Sequence, residues 1–453
     1  METFYRNVKD FGAVGDGLAN DTAAIQRALD AGGAAYLPRG TYRTGTLYLR
    51  SNGGLELAPD AVLVGSPDRA DYNAWDFCPQ NRHTRCDAEK ASGAHLIVAL
   101  ECENVFIGGH GRIWGNREAF FDPDDGPRGE FKGWRPSQMV FFCECRNVSI
   151  SDVTLVNSPY WSLFFFGCDE VRVRGLNISN TPWNAWNGDG IAIDCCRNVT
   201  VSDCIVRSSD DGVTVRATGE GRLLHHPALS ENVSVTNCVM VGHTGMRFGV
   251  GTGTIRNCAA SNLSIMGGIR GIGVHQSYEA GLFPEHAKGC QIEGLVFDNL
   301  AIDCQMPFYI LATHPPRTIA KTSEHQIQRI SYNNVRARGT WPVVIIGNYD
   351  RNIHDVQMAN CSFVFHGGDA ALFAKPRSER DVWEKYFDYG VYMENIRDFL
   401  FQNVRVSWED EVDGWKAALC TKGIEDVTFR DCRFDAPRGG VSRLDEPAAN
   451  AGI

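Results

Sequence analysis

The chain has 453 residues, a formal net charge of −11 and a sequence pI near 5.6. That balance argues against a nucleic-acid partner, which leaves a basic footprint. No apolar run is long enough to span a membrane, and no charge-rich or Pro/Ser-rich block marks disorder.

The N-terminal residues Asn7-Val8-Lys9-Asp10-Phe11-Gly12 follow Met1 without an apolar leader. The expectation is therefore a cytoplasmic protein, or a secreted one whose leader has been removed. Asn20 or Asp21 as N-cap, then Ile25, Ala28 and Leu29 on one stripe, predict a short helix that stops at Gly32-Gly33. Such a helix would cap the open end of whatever sheet follows. Residues 71–93 and 116–137 are rich in Asp, Arg, Gly, Pro and Trp and read as long loop inserts over one face.

From about residue 145 one phrase recurs: an Asn or acidic residue, then Val/Ile, one residue, Val/Ile, and soon Asn/Asp before Cys or Val. It reads Asn147-Val148-Ser149-Ile150, Glu170-Val171-Arg172-Val173, Asn198-Val199-Thr200-Val201 and Asn232-Val233-Ser234-Val235. Weaker copies start at Asn262, Asn299, Asn334, Asn360, Asn403 and Asp431. Valines 148, 171, 199 and 233 are 23, 28 and 34 residues apart, a coil of variable length. Short β-branched runs at this spacing predict an all-β, parallel β-helix solenoid, because each coil buries its apolar face only by stacking on its neighbours. The expected organisation is a single domain over 1–453. Residues 1–66 form the N-terminal cap and first coil, 71–93 and 116–137 the inserts, and 145–435 the main coils.

Sixteen cysteines contain no C-x-x-C pair, and Cys143-x-Cys145 and Cys195-Cys196 lack zinc-site spacing. Reduced thiols packed as small hydrophobes are expected, with Cys204, Cys238, Cys361 and Cys432 at similar interior positions and no metal.

Aligning the chain with itself gives four successive strands beginning Asp189-Gly190, Asp211-Gly212, Thr244-Gly245 and Arg270-Gly271. Alternation puts Ile191/Ile193, Val213/Val215, Met246/Phe248 and Ile272/Val274 inside. Two outward columns result: Ala192, Thr214, Arg247, Gly273 and Asp194, Arg216, Gly249, His275. Asp189, Asp210, Asp211, His243 and Arg270 fall at the leading edge. Carboxylates crowded on adjacent coils split their pKa values, and an acid beside a carboxylate is the equipment of glycosidic-bond hydrolysis. A lone Asp-Gly is more often a solvated turn; its repetition on adjacent coils beside His243 favours chemistry. Trp161, Trp183 and Trp186 precede these strands, either as packing residues or as faces for a sugar ring.

These residues resemble the polygalacturonases of glycoside hydrolase family 28. Asn7 to Gly17 with Asn20-Asp21-Thr22 is similar to that family's opening, and Asn157-Ser158-Pro159-Tyr160-Trp161 to its coil before the active site. Asn187-Gly188-Asp189-Gly190 resembles N-T-D-G with Gly for Thr, Asp210-Asp211 matches D-D, and Gly242-His243-Thr244-Gly245 resembles G-H-G with one residue added. The resemblance implies a right-handed β-helix, an inverting single displacement and no cofactor. Asp210 would be the general acid, Asp189 and Asp211 would hold and deprotonate water, and His243 would support the acid or leaving group. The expected substrate contacts, read from the columns, the leading edge and the preceding loops, are Asn187, Arg216, Arg247, Arg270, His275, Trp161 and Trp186.

The family's R-I-K motif, which grips the uronate carboxylate, corresponds to Gly273-Val274-His275 here. Either cationic recognition has moved to Arg216 and Arg247, or the sugar is different or neutral. The expected activity is exo-acting hydrolysis of a pectin-type or related oligo- or polysaccharide. Two alternatives remain at this level: a polysaccharide lyase on a uronate polymer, and a non-catalytic glycan-binding β-helix.

Overall fold

The computed structural model describes residues 4–73, 85–86, 91–122, 130–131, 133–180, 187–218, 227–278, 288–316, 323–366, 383–409 and 414–447. Two compact units divide the chain: Met1–Thr214 with Gly219–Gly242, and Val215–Thr218 with His243–Ile453.

In the first unit each coil contributes three short strands. Val140–Cys143, Arg146–Ser151 and Thr154–Val156 are followed by Leu163–Phe166, Asp169–Arg174 and Asn177–Ser179, then by Ile191–Asp194, Arg197–Ser202 and Ile205–Arg207. Each strand pairs in parallel with its equivalent on the next coil. Like therefore stacks on like: Val148 on Val171 on Val199 on Val233. Each of these valines is buried. A fully buried valine contributes about 2 kcal/mol, available only once the neighbouring coil covers it.

The second unit follows the same rule with longer strands. Thr244–Gly251, Arg270–Tyr278, Met306–His314 and Val343–Ile346 form one parallel ladder, continued by Tyr389–Glu394, Ala417–Lys422 and Val441–Glu446. Thr254–Met266, Gln291–Asp303 and Ile327–Gly339 form the other. Antiparallel pairing among the described residues is confined to Arg85–Cys86 with Ala91–Ser92 and Phe121–Asp122 with Glu130–Phe131, both inside the predicted inserts.

The recurring Asn has a conformational cause. Asn147, Glu170, Asn198 and Asn232 all turn the chain with φ between 53° and 59°, as do Asn262, Asn299 and Asn334 at 53°, 56° and 51°. This left-handed region costs an ordinary L residue roughly 1–2 kcal/mol, and Asn enters it most readily. Side-chain amides then bond along the stack: Asn104 Nδ2 to Asn52 Oδ1 and Asn147 Nδ2 to Asn104 Oδ1, both at 2.7 Å. In the second unit Asn299 donates to Asn262 at 2.6 Å and Asn334 to Asn299 at 3.0 Å. The parallel β-helix fold is thus set by paired strands and by polar corners that repeat coil after coil.

The helix forms at Thr22–Asp30, burying Ala24, Ile25, Ala28 and Leu29. Asp21, one of the two expected candidates, holds the N-cap position but makes no cap bond, because its carboxylate accepts the N–H groups of Val14 and Gly15 at 2.7 and 3.0 Å. Asn20 Oδ1 instead accepts the N–H of Thr22 at 3.0 Å. Gln26 bonds both backbone groups of Tyr48, donating to its C=O at 3.0 Å and accepting from its N–H at 2.8 Å.

Among the described residues fourteen cysteines are unbridged, and Cys204, Cys238 and Cys361 are buried. Cys432 departs from that expectation and is half-buried: it sits between strands Glu425–Arg430 and Arg433–Phe434, in a thinly covered stretch where every residue from 425 to 434 is exposed or half-buried.

Candidate active site

In the first unit Asp189 precedes strand Ile191–Asp194, and Asp210 precedes strand Asp211–Ala217, which Asp211 opens. Gly190 N–H donates to Asp211 O at 2.8 Å and Ser209 N–H to Gly188 O at 3.1 Å, so Asp189 and Asp210-Asp211 occupy adjacent coils. That is one strand spacing, about 4.8 Å. Asp189 and Asp211 are 3% and 2% exposed, while Asp210 is half-buried and reaches solvent.

The backbone carrying Asp189 is tied down from both sides. Ser162 N–H donates to Asp189 O at 2.9 Å, and Asn180 Nδ2 donates to Gly188 O at 3.1 Å and to Ser162 Oγ at 2.7 Å. Asn180 Oδ1 in turn accepts Ser158 N–H at 2.9 Å. The Asn157–Trp161 segment and the Asn187–Asp189 segment are therefore one hydrogen-bonded assembly.

Two arginines from an insert complete it, and sequence reasoning passed over both. Arg135 is fully buried, donating from one Nη to Pro159 O at 3.0 Å and from the other to Asn187 Oδ1 at 2.9 Å. Its guanidinium lies 4.6 Å from the Tyr160 ring centre. Arg117 is also buried, and burial pulls its pKa down to about 10. The signal that bears on Arg117 is Gly188, where the resembling motif has Thr. A Cβ there would lie 2.0 Å from Ser209 Oγ and 3.5 Å from an Arg117 Nη. Ser209 and Arg117 occupy the volume that a threonine side chain would need.

Trp161 is buried, stacked on Tyr160 at 5.2 Å and edge-on to Phe164 at 5.3 Å. Trp183 and Trp186 lie outside the described residues. Asp189, Asp210 and Asp211 are the carboxylate oxygens this region offers to a proton, a water or a hard cation.

In the second unit His243 is half-buried, and its carbonyl accepts the N–H groups of Ile269 and Arg270, both at 3.0 Å. The Arg270 guanidinium is mostly buried, 5.9 Å from the Trp383 ring. Arg216 is 4% exposed. Arg247 pairs in register with Gly273 and Gly249 with His275, as the predicted columns require. Arg247 Nη1 donates to Tyr278 OH at 3.0 Å. His275 is fully buried, its Nδ1 3.4 Å from Tyr309 OH and its ring 5.0 Å from those of Tyr278 and His314. Tyr278, Tyr309, His314 and Trp383 were not singled out from sequence, since an aromatic residue carries no local mark that separates packing from function.

The chain matches the model of glycosyl hydrolases family 28 over residues 80–372, well over half its length and inclusive of every candidate site residue. The chain belongs to glycosyl hydrolase family 28. The family is one of glycosyl hydrolases. A "Probable polygalacturonase" of Vitis vinifera is 32% identical over 46% of this chain and 43% of that protein, so the chain spans less than half of it. An "Exo-poly-alpha-D-galacturonosidase" of Dickeya chrysanthemi is 25% identical over 96% of this chain and 72% of that protein. Among solved structures, a family 28 exopolygalacturonase of Yersinia enterocolitica superposes with a TM-score of 0.71 at 20% identity, covering 94% of this chain and 78% of that one. The Thermotoga maritima exopolygalacturonase gives 0.65 at 23% identity over 80% and 87%. These two superpositions establish a shared fold. Among the described residues of this family 28 chain, no helix is long and apolar enough to cross a membrane.

Proposed function

We propose that the protein is an inverting, exo-acting hydrolase of pectin-type oligosaccharides built of uronate sugars. The observation that carries this is Asp189 held buried one coil from Asp210-Asp211, inside the region matched by the family model. Asp210, the carboxylate with access to solvent, is the general acid that protonates the departing oxygen. Asp189 and Asp211 orient the water and take its proton, and His243 supports the acid or the leaving group. Asn187, Arg216, Arg247, Arg270, His275, Trp161 and Trp186 make up the substrate-binding set.

Exo-action draws its support from the names of the Dickeya relative and of the Yersinia and Thermotoga structures, together with the long inserts at 71–93 and 116–137. Three further parts belong to this reading. Residues 1–453 form one right-handed β-helical domain, supported by the same corner rule in both units. The Thr22–Asp30 helix acts as its N-terminal cap, supported by the bonds from Gln26 to the backbone of Tyr48. The working compartment is reducing, as in the cytoplasm, supported by fourteen unbridged thiols among the described residues.

The test is product analysis on oligogalacturonates labelled at one end. Small products of a single size from the first minutes are expected. A ladder of internal fragments would refute exo-action, and an unsaturated, ultraviolet-absorbing end would refute hydrolysis.

A further inference from the structure

We propose that Asn180 and Ser208 are positioning residues, Asn180 for the carboxylate of Asp189 and Ser208 for that of Asp210. This rests on the hydrolase reading above and deepens it.

Both residues belong to one column at the end of the third strand of each coil. Val156, Ser179, Arg207 and Val241 are in register on four consecutive strands. The residues that follow them are Asn157, Asn180, Ser208 and Gly242. The backbone keeps these four stacked. Asn157 N–H donates to Ser179 O at 3.0 Å, Asn180 N–H to Arg207 O at 2.8 Å and Ser208 N–H to Val241 O at 3.0 Å. Asn180 and Ser208 are each 2% exposed, and polar groups so buried are stable only with their hydrogen bonds made.

Those bonds go to the peptides that carry the acidic edge. Asn180 donates from Nδ2 to Gly188 O at 3.1 Å and to Ser162 Oγ at 2.7 Å. Gly188 O also accepts Ser209 N–H at 3.1 Å, which occupies its second lone pair. A peptide group is planar, so a held carbonyl also holds the N–H and Cα beyond it. Gly188 needs this most, because without a Cβ its own backbone angles are the least restricted. On the far side of Asp189, its carbonyl accepts Ser162 N–H at 2.9 Å. With both flanking planes held, the Cα–Cβ bond of Asp189 has one direction.

Ser208 does the same one coil later, donating from Oγ to Asp210 O at 2.9 Å. That carbonyl lies on the peptide shared by Asp210 and Asp211. Gly242 completes the column: a Cβ there would lie 2.2 Å from Ser208 Oγ and 3.2 Å from Asp210 O. The glycine leaves the space in which the hydroxyl reaches the carbonyl. Asn157, one coil before Asn180, bonds the Glu118 carboxylate instead.

The test measures kcat and KM on an oligogalacturonate and on its methyl ester. Asn180→Ala should lower kcat roughly 100-fold and Ser208→Ala about tenfold, the scale set by misplacing a reacting group by about 1 Å. KM should stay within about twofold of wild type, and the acid-to-ester ratio of kcat/KM should not change. Val173→Ala, a cavity in the interior of the same unit, costs stability and should leave kcat at wild type. Wild-type kcat in Ser208→Ala or in folded Asn180→Ala overturns the proposal, as does an equal loss in Val173→Ala. If Asn180→Ala does not fold, the Ser208→Ala result decides. Crystal structures of the variants separate the two claims. Displaced Asp189 or Asp210 carboxylates in a protein that cleaves neither substrate retain the positioning roles and remove the hydrolase reading. Unmoved carboxylates in variants of a protein that does cleave remove the roles and retain the reading.

Discussion

In the first unit the two outward columns run Val98, Phe141, Phe164, Ala192 and Leu100, Cys143, Phe166, Asp194. In the second they run Arg247, Gly273, Tyr309, Val344 and Gly249, His275, Leu311, Ile346. The interior of both units repeats apolar residues from coil to coil, since each coil buries its apolar face only against its neighbours. The outer columns are released from that rule and change chemistry at each step. In the first unit an apolar, aromatic face backs a leading edge of carboxylates, while the second carries arginine and histidine among tyrosines. In a solenoid, information about function lies where the repeat is broken on the outside.

The comparison breaks most sharply if the carboxylate edge of the first unit is dispensable. Asp210→Asn should lower kcat by roughly 1,000-fold or more, in line with losing a general acid. Because Asp210 is half-buried, the melting midpoint should stay within about 2 °C of wild type, read by calorimetry beside a reducing-end assay. Comparable turnover in the variant would remove the acid assignment.

A second test sets a buried histidine of the first unit against the chemistry of the second. His95 is fully buried, donating from Nδ1 to Gln138 O at 2.8 Å, with its ring 4.8 Å from that of Phe141. Burial pulls its pKa from 6.5 down to about 4. The unfolded chain therefore takes up a proton that the folded chain refuses. Stability should be full above pH 6.5, fall as pH drops toward 4, and level off below that, a loss on the order of 3 kcal/mol. Urea titrations across this range should show that slope flatten in His95→Gln. An identical slope in the variant would assign acid sensitivity to other groups.

The smallest expected effect sharpens the picture of how the acidic edge is held. Arg135→Lys keeps a charge but cannot span Pro159 O and Asn187 Oδ1 together. It should cost about 2 kcal/mol in urea unfolding and lower kcat about tenfold, with KM less affected. Equal losses in kcat/KM for acid and ester substrates would mark Arg135 as a support for Asn187. A change in their ratio would instead make it a substrate contact.

Much of the fold was legible because its corners have a conformational signature. Asn147, Asn198, Asn232, Asn262 and Asn299 recur where φ must be near 55°, and a short pair of Val, Ile or Leu follows each. The registers Arg247 to Gly273 and Gly249 to His275 came from alternation alone. Other features were hidden for physical reasons. Arg117 and Arg135 sit in an insert with no periodicity, and only the third dimension brings them to Gly188 and Asn187. Tyr309 acts through the space above a glycine on another coil, which no local pattern encodes. Asp21 is a helix N-cap by position, yet its carboxylate finds two backbone N–H groups closer to hand.

The most direct test of the central claim is the anomeric configuration of the first product released from an α-linked oligogalacturonate, followed by proton NMR before mutarotation. Single displacement by water held at Asp189 and Asp211, with Asp210 as acid, predicts the inverted anomer from the first turnover. First release of the retained anomer would contradict it.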